Sequence, residues 1–303
     1  MPQFSVIVPT RDRADSLWRC LDAIGRLAAP EGGFEVIVVD DGGQQPVDPA
    51  ILPENLQSNG RILRTPFNLG PAAARNLGAR AANGEYLAFT DDDCTPARDW
   101  LRRLQEAFGD DPEAACGGPF VAGKFSCLYT SASHAILDVV YSHYNCDSKH
   151  AQFMGAANFA VPAKRFAEIG GFNEAFRTSE DREFCRRWVL RGWRMIYVPG
   201  AVVEHRQKSG FGGFVRRHFH YGKGAYRFRA LDAIDSATQV RLEPQSFYWR
   251  LLTYPFHCAR WPRATLLAGL VIVSQVASTL GFLAERLSAS TSAAGSQSSI
   301  GRN

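Results

Sequence analysis

A short apolar strand that ends in three consecutive aspartates constrains this chain more than any other feature. Residues Tyr86 to Thr90 form an apolar run of strand length, and Asp91, Asp92 and Asp93 follow at once. Such a run within an α/β pattern is typical of a central strand in a parallel sheet. Open α/β sheets bind ligands at the carboxyl ends of their strands, so the three carboxylates are expected at a ligand site.

The three adjacent carboxylates need a partner because like charges repel. A hard divalent cation, Mg²⁺ or Mn²⁺, that shares one or two carboxylates with a diphosphate offsets this charge. The alternative is an acidic turn that caps the helix starting near Asp99, since aspartate is common in turns and caps.

Composition places the chain among ordinary globular proteins. Its 303 residues are 46% hydrophobic and 21% charged, which allows one large α/β domain with an appendage. A net charge of +4 is too small to indicate a nucleic-acid partner, and we expect none. Seven scattered cysteines without a C-x-x-C pair indicate reduced thiols in the cytosol. No secretory signal opens the chain, so we expect the catalytic part in the cytoplasm.

The first half of the chain alternates strands and helices. A strand at residues 4–8, a helix at 14–28 and a strand at 34–39 form a right-handed βαβ unit, so both strand ends meet at one edge. An alanine-rich helix at residues 72–82 is expected to point Arg75 and Asn76 outward. Residues 153–161 are expected to form a further strand.

The C-terminal third has a different character. Residues 206–263 interleave basic and aromatic side chains, as at a membrane interface. Residues 264–284 carry no charge and are long enough to cross a hydrocarbon core of about 30 Å. We expect a segment at 264–287 that spans the membrane, re-enters it or lies flat on its surface, or forms a buried helix hairpin. We expect a disordered tail at 288–303. The excess of basic residues before residue 264 places residues 1–263 in the cytoplasm, against an anionic membrane surface.

Five motifs recur in the order and spacing of a known family. They are Val6-Ile7-Val8-Pro9-Thr10, Val36-Ile37-Val38-Val39-Asp40-Asp41-Gly42, Asn68-Leu69-Gly70 with Ala74-Arg75-Asn76, Asp91-Asp92-Asp93, and Glu180-Asp181. On these motifs the chain resembles family 2 glycosyltransferases over about residues 3–205. The resemblance implies an α/β fold of the GT-A type, with a Rossmann-like nucleotide-binding sheet flanked by helices, and an inverting transfer from a nucleotide sugar.

The resemblance also implies where the donor and the metal bind. The residues expected to contact the nucleotide are Pro9, Thr10, Arg11, Asp40, Asn68, Arg75, Asp91 and Asp92. Asp40 is suited to accept a hydrogen bond from a uracil N3–H, which favours a UDP-sugar. Asp93 is the expected ligand of Mg²⁺ or Mn²⁺, with Asp92 as the alternative. His205 is expected to be a further ligand, although a lone histidine is more often structural.

Asp181 matches the general base of the family. An attacking hydroxyl must lose a proton, and a carboxylate on the acceptor side can take it. The alternative is a capping box, in which Thr178 and Asp181 only begin a helix. Glu180 and Trp188 are candidates for the acceptor side, and Asn158 is a candidate for the donor sugar.

These observations predict a metal-dependent glycosyltransferase at the cytoplasmic face of the cell membrane. Its acceptor is expected to be a lipid-linked or cell-surface glycan, as in cell-wall or polysaccharide biosynthesis. A sugar nucleotidyltransferase is one alternative, but residues 9–15 contain no glycine for a phosphate loop. A catalytically silent module with the same fold is another, and the retained aspartates argue against it.

Overall fold

The computed structural model describes residues 2–123, 127–206, 210–236 and 243–300. The chain divides into two compact units, the first of residues 1–126 and 140–207 and the second of residues 127–139 and 208–303. The expected boundary at residue 205 lies close to this division. The placement of residues 127–139 in the second unit was not expected, and it follows from packing such as that of Ala132 with Phe214 and Leu267.

The strands of the first unit are short and largely buried. They are β1 (Phe4–Thr10), β2 (Phe34–Asp40), β3 (Gly60–Arg64), β4 (Tyr86–Phe89), β5 (Cys94–Pro96), β6 (Ala115–Gly117), β7 (Phe120–Ala122), β8 (Phe159–Pro162), β9 (Met195–Tyr197) and β10 (Val203–His205).

Two sheets form from these strands within the described residues. The larger has seven strands in the order β3-β2-β1-β4-β8-β6-β9, and the smaller has the order β5-β10-β7. Strands β1 to β4 are parallel neighbours, and β8 is antiparallel to both β4 and β6. Strand β4, which precedes the three aspartates, is therefore central, as predicted. Thr10 and Asp40 lie side by side at the ends of β1 and β2, so the predicted meeting of strand ends is confirmed.

Helices cover the sheets of the first unit. They are α1 (Ala14–Gly25), α2 (Pro71–Ala81), α3 (Trp100–Asp110), α4 (Leu128–Tyr144, shared between the units), α5 (Ala163–Ile169) and α6 (Glu180–Leu190). Helix α1 buries Leu17, Leu21 and Ile24, which recur at helical spacing. Helix α2 packs closely on the sheet, since a Cβ on Gly78 would lie 2.5 Å from Ile7 Cγ2.

The second unit is helical in its described residues. Its helices are α7 (Phe211–Ser236), α8 (Gln245–Thr253), α9 (Pro255–Cys258) and α10 (Arg263–Ile300), together with the first part of α4. Phe214, Leu267 and Leu270 form a buried core with Ala132. Residues 263–290 of α10 form one helix that is long and apolar enough to cross a membrane, with a mean hydropathy of 2.0.

Two sequence-based expectations differ from this fold. Residues 156–158 form a 3-10 turn and β8 begins only at Phe159, because the buried Asn158 amide turns inward to polar partners that an extended strand would not offer it. Helix α10 continues to Ile300, through residues 288–300 of the tail for which the sequence predicts disorder. Residues 301–303 lie outside the described part of the chain.

Candidate active site

The site begins where β1 and β4 end, at the central edge of the larger sheet. Thr10 Oγ1 donates a hydrogen bond of 2.6 Å to Asp92 Oδ2, and Asp92 is fully buried. Arg13 forms ion pairs with Asp92 at 2.7 Å and with Asp93 at 3.0 Å. Burial raises the pKa of Asp92 to about 7, against the lowering effects of the Arg13 charge and the Thr10 hydrogen bond. Asp92 is therefore a buried anchor that faces Thr10 and Arg13.

Asp93 and His205 meet because two distant strands pair. Strand β10 runs antiparallel to β5, which sets His205 opposite Cys94. His205 Nε2 lies 3.3 Å from Asp93 Oδ1. Burial opposes ionisation of Asp93, but the hydrogen bond and charge of His205, with the charge of Arg13, lower its pKa to about 2. A carboxylate and an imidazole thus point at one spot in the first unit.

The residues at this spot fit a divalent cation. Ligand atoms of Asp93, His205 and Cys94 all lie within 4.8 Å of one another. The Cys94 thiol is a soft donor that hard cations such as Mg²⁺ and Mn²⁺ disfavour, so it is the weakest of the three candidate ligands. A carboxylate and an imidazole remain, and Mn²⁺ and Mg²⁺ accept such donors together with diphosphate oxygens. The expected ligand pair of Asp93 and His205 is brought together.

Arg75 connects two motifs that are far apart in the sequence. Its guanidinium donates to Asp91 Oδ1 and to Glu180 Oε1, both at 2.7 Å. Arg75 is almost completely buried, so the expectation that it points outward from α2 is wrong. Three consecutive alanines before it let α2 approach the sheet closely enough to enclose it. Its charge is committed to two carboxylates, and it positions the acidic motif relative to the start of α6.

Asp181 lies in the first turn of α6, next to this ion-pair network. The helix is preceded by Ser179, which has a positive φ of 67° and makes no side-chain capping bond. Asp181 therefore occupies the second helical position, and the capping box expected of Thr178 is not the geometry found. Burial, followed by the charge of Glu180, raises the pKa of Asp181 from its ordinary 3.8 to about 7. A carboxylate in this state is suited to take a proton near neutral pH.

Asp40 and Asp41 hold loops together. Asp40 accepts from Gly43 N at 3.0 Å, Val47 N at 3.3 Å and Arg64 Nη1 at 3.0 Å. The Asp40 side chain is only 1% exposed, so these three bonds hold it inside the protein. The Asp41 carboxylate, which was not predicted to matter, accepts from three donors of the loop that precedes α2. Gly42 must be glycine, because its φ is +61° and a Cβ would lie 2.3 Å from a Phe67 backbone atom.

Two candidates lie in the interior instead of at the site. Asn158 is fully buried, and its side chain bonds to Trp100 Nε1, the Pro119 carbonyl and the Ala201 carbonyl. These bonds use its amide to hold loops, which leaves no group for a donor sugar. Trp188 is likewise buried, and its Nε1 donates to the Arg194 carbonyl.

The remaining candidates of the first unit differ in exposure. Pro9 is buried within β1, whereas Arg11 is exposed beyond the strand end. Asn68 accepts from Arg177 Nη1 at 3.1 Å. Arg13 was missed, although a basic residue just after a strand that ends beside an acidic motif could have suggested it.

A mixed sheet that is parallel over β1 to β4, ends in acidic residues at β2 and β4 and is flanked by helices is an α/β fold of the GT-A type. A model of the family described as glycosyl transferase family 2 matches residues 5–173, which is more than half of the chain. The chain therefore belongs to glycosyl transferase family 2.

One relative and two solved structures illustrate the similarity. The pre-mycofactocin glycosyltransferase of Mycobacterium tuberculosis (strain CDC 1551 / Oshkosh) is 30% identical over 231 residues, which cover 73% of this chain and 46% of the relative. This chain thus matches less than half of that relative's length.

Both structures share the fold at low sequence identity. One is the mannosyltransferase PcManGT from Pyrobaculum calidifontis in complex with GDP-Man and Mn²⁺, with a TM-score of 0.62 at 19% identity. The match covers 94% of this chain and 86% of the PcManGT chain. The other is TarS 1-349 from S. aureus in complex with UDP-GlcNAc, with a TM-score of 0.58 at 16% identity. This match covers 84% of this chain and 71% of the TarS chain.

Proposed function

We propose that this chain transfers a sugar from a nucleotide sugar to a hydroxyl of a glycan or lipid-linked acceptor, with inversion at the anomeric carbon. The observation that carries the proposal is the Arg75 bridge. One buried guanidinium holds Asp91, in the expected donor motif, and Glu180, the residue before the expected base. Sugar transfer needs the donor motif and the base on the acceptor side in one site. The Arg75 ion pairs hold Asp91 and Glu180 together within the first unit.

The proposed reaction is a single displacement. The acceptor oxygen forms a bond to the anomeric carbon while the bond from that carbon to the diphosphate oxygen breaks. Asp181 takes the hydroxyl proton, and the nucleoside diphosphate leaves with the bonding electrons. A divalent cation held by Asp93 and His205 would supply charge stabilisation for the departing diphosphate. Asp92 and Arg13 keep the acidic loop in place.

The proposal also covers the donor nucleotide, the acceptor and the location in the cell. The acidic end of β2 at Asp40, where the family resemblance places the base, supports a uridine nucleotide, as does the likeness to TarS in complex with UDP-GlcNAc. The apolar α10 supports a location at a membrane, where a lipid-linked or cell-surface glycan is within reach. The basic and aromatic residues between 206 and 263 support the cytoplasmic side and an anionic surface.

Metal dependence gives a first test. Donor turnover should require Mn²⁺ or Mg²⁺, and Asp93→Ala should weaken Mn²⁺ binding by about 100-fold or more, since it removes a direct ligand. Titration of Mn²⁺ by electron paramagnetic resonance measures this affinity. The matched control is Cys94→Ala, which removes a soft thiol from the same cluster and should leave Mn²⁺ affinity nearly unchanged. Full turnover in excess chelator, or a large loss in Cys94→Ala only, would refute the assignment.

The pH profile gives a second test. Because the pKa of Asp181 is raised to about 7, kcat/KM should rise about tenfold per pH unit below pH 7 and level off above it. The residual activity of Asp181→Asn should lack this acidic limb. A limb that persists in Asp181→Asn would assign it to another group, with Asp92 as the next candidate because its pKa is also raised to about 7.

A further inference from the structure

Helices α7 and α10 lie side by side in the second unit and run parallel. Near the middle of α10, Ser278 Oγ donates to the His218 carbonyl at 3.0 Å. Two turns further along both helices, Arg227 Nε donates to Glu285 Oε1 at 2.7 Å. Since the contacts advance together on the two helices, α7 accompanies α10 along much of its apolar length.

The two backbones touch at a pair of glycines. A Cβ on Gly222 would lie 1.9 Å from the Ser278 carbonyl oxygen, and a Cβ on Gly281 would lie 1.9 Å from the Phe219 carbonyl oxygen. Real side chains do not tolerate such contacts, so both positions require glycine. Small residues of this kind allow close helix packing, and α10 is therefore held to α7 at this level.

Helix α10 has two different faces. Leu267, Val271, Ser274, Ala277 and Gly281 are buried on the face toward α7. The opposite face presents exposed apolar side chains at helical spacing, which we term the outer stripe: Leu266, Ile272, Val276, Leu280, Leu283 and Leu287. At 1.5 Å per residue the outer stripe extends for roughly 32 Å. A continuous apolar surface of this size marks a contact with a membrane or a protein.

The charges of α7 decide how α10 meets a membrane. The His218 carbonyl is level with Ser278, close to the midpoint of the apolar segment at residues 263–290. If that segment crossed a bilayer, Arg216, Arg217 and His220 would lie near the centre of the hydrocarbon core. Charged groups at that depth are rare and costly, and side chains reach the interface only from helix ends. The parallel pair is thus ill suited to span.

We infer that α10 lies flat in one leaflet, with the outer stripe immersed in hydrocarbon and α7 covering it on the aqueous side. The occupant of the outer stripe is then a bilayer surface. Arg260 and Arg263 precede the stripe and Arg286 lies at its far end, where anionic headgroups would meet them. Exposed Trp249 and Trp261 in the same unit are typical of the interfacial region. This inference rests on the proposed membrane location but not on the transfer chemistry.

Tag accessibility distinguishes a flat helix from a spanning one. The full chain, with a cleavable tag at each end, is synthesised in a cell-free system outside sealed vesicles of equal parts phosphatidylcholine and phosphatidylglycerol. A flat α10 predicts that external protease removes both tags from every vesicle-bound molecule. Removal of the N-terminal tag with protection of the C-terminal tag would demonstrate a crossing and overturn the inference.

Charge substitutions test the outer stripe itself. Leu280→Glu combined with Leu283→Glu should lower the vesicle-bound fraction by about tenfold or more, because two carboxylates would enter the apolar phase. The matched control is Val189→Glu combined with Leu190→Glu, which adds the same two charges at two exposed apolar residues at the end of α6 in the first unit. This control should bind vesicles nearly as the wild type does. Equal losses in both variants would overturn the assignment to this face.

Two further measurements separate membrane binding from dimerisation and from the transfer reaction. If the wild type forms a dimer without lipid, fails to bind vesicles and becomes monomeric with the two substitutions, a second copy covers the outer stripe and the inference is wrong. Donor hydrolysis is measured on the same preparations in solution. Its absence while both tags are cleaved would count against the transfer proposal and leave the flat orientation standing.

Discussion

Asp181→Asn should abolish sugar transfer while leaving nucleotide affinity nearly unchanged. The amide keeps the shape of the side chain but removes the proton acceptor, and we expect turnover to fall by about 100-fold or more. Turnover is measured as nucleoside diphosphate release in the presence of acceptor, and affinity as calorimetric binding of the nucleoside diphosphate. Glu168→Gln is the matched control, since it makes the same carboxyl-to-amide class of change at a half-exposed side chain on α5 outside the site.

The stability of Asp181→Asn separates catalysis from helix capping. The pKa of Asp181 is raised in the folded chain from 3.8 to about 7, so the folded state binds the proton more tightly than the unfolded state. Its ionisation therefore destabilises the fold progressively from about pH 4 to pH 7, and the cost is fully present above pH 7. Asp181→Asn should melt at a higher temperature than the wild type at pH 8, and this advantage should vanish near pH 4. A variant that melts early yet turns over near the wild-type rate would support the cap instead.

Arg75→Met should lower both stability and turnover, the largest structural effect that we expect from one substitution at the site. Methionine keeps length but leaves Glu180, which is almost buried, without its cation. Breaking a buried ion pair costs about 3–5 kcal/mol, and we expect the lower end because the Asp91 side chain is 29% exposed. Urea unfolding measures the free energy. Arg80→Met on the exposed face of the same helix is the control and should change stability little.

The outcome for Arg75→Met also distinguishes two roles. If Arg75 positions the site, acceptor-dependent turnover should fall together with stability, and Arg75→Lys should recover only part of it because lysine cannot hold two carboxylates in one plane. A variant of unchanged stability that loses only nucleotide affinity would assign Arg75 to the nucleotide instead, as the family resemblance implied.

The strand ends could be predicted because they depend on local pattern. An apolar run before Asp91 and another before Asp40 predicts two buried strands, and parallel neighbours bring their ends to one edge. The pairing of β10 with β5 has no such local signal. The contact of His205 with Asp93 therefore followed only from the family resemblance, and strand register explains it in the structure.

The burial of polar side chains could not be predicted from the sequence pattern. The sequence predicts that Arg75 points outward from α2, yet small alanines beside it let the helix and sheet close around it. Asn158 is a sequence candidate for the donor sugar, yet its amide bonds to Trp100 at the start of α3 and to the carbonyls of Pro119 and Ala201 in two loops. In both cases the partners are remote in the sequence, and only the fold brings them within hydrogen-bonding distance.

The most direct test of the proposed function is a screen of donor hydrolysis and transfer. The purified full chain is incubated with a panel of UDP- and GDP-sugars, with and without Mn²⁺, and release of nucleoside diphosphate is followed for the wild type, Asp93→Ala and Asp181→Asn. We expect at least one donor to release its nucleoside diphosphate, and we expect this release to require Mn²⁺ and Asp93. An acceptor should stimulate the release in the wild type but not in Asp181→Asn. Release of pyrophosphate from a sugar phosphate and a nucleoside triphosphate, or nucleotide binding without turnover of any donor in the panel, would contradict the assignment of this site to sugar transfer.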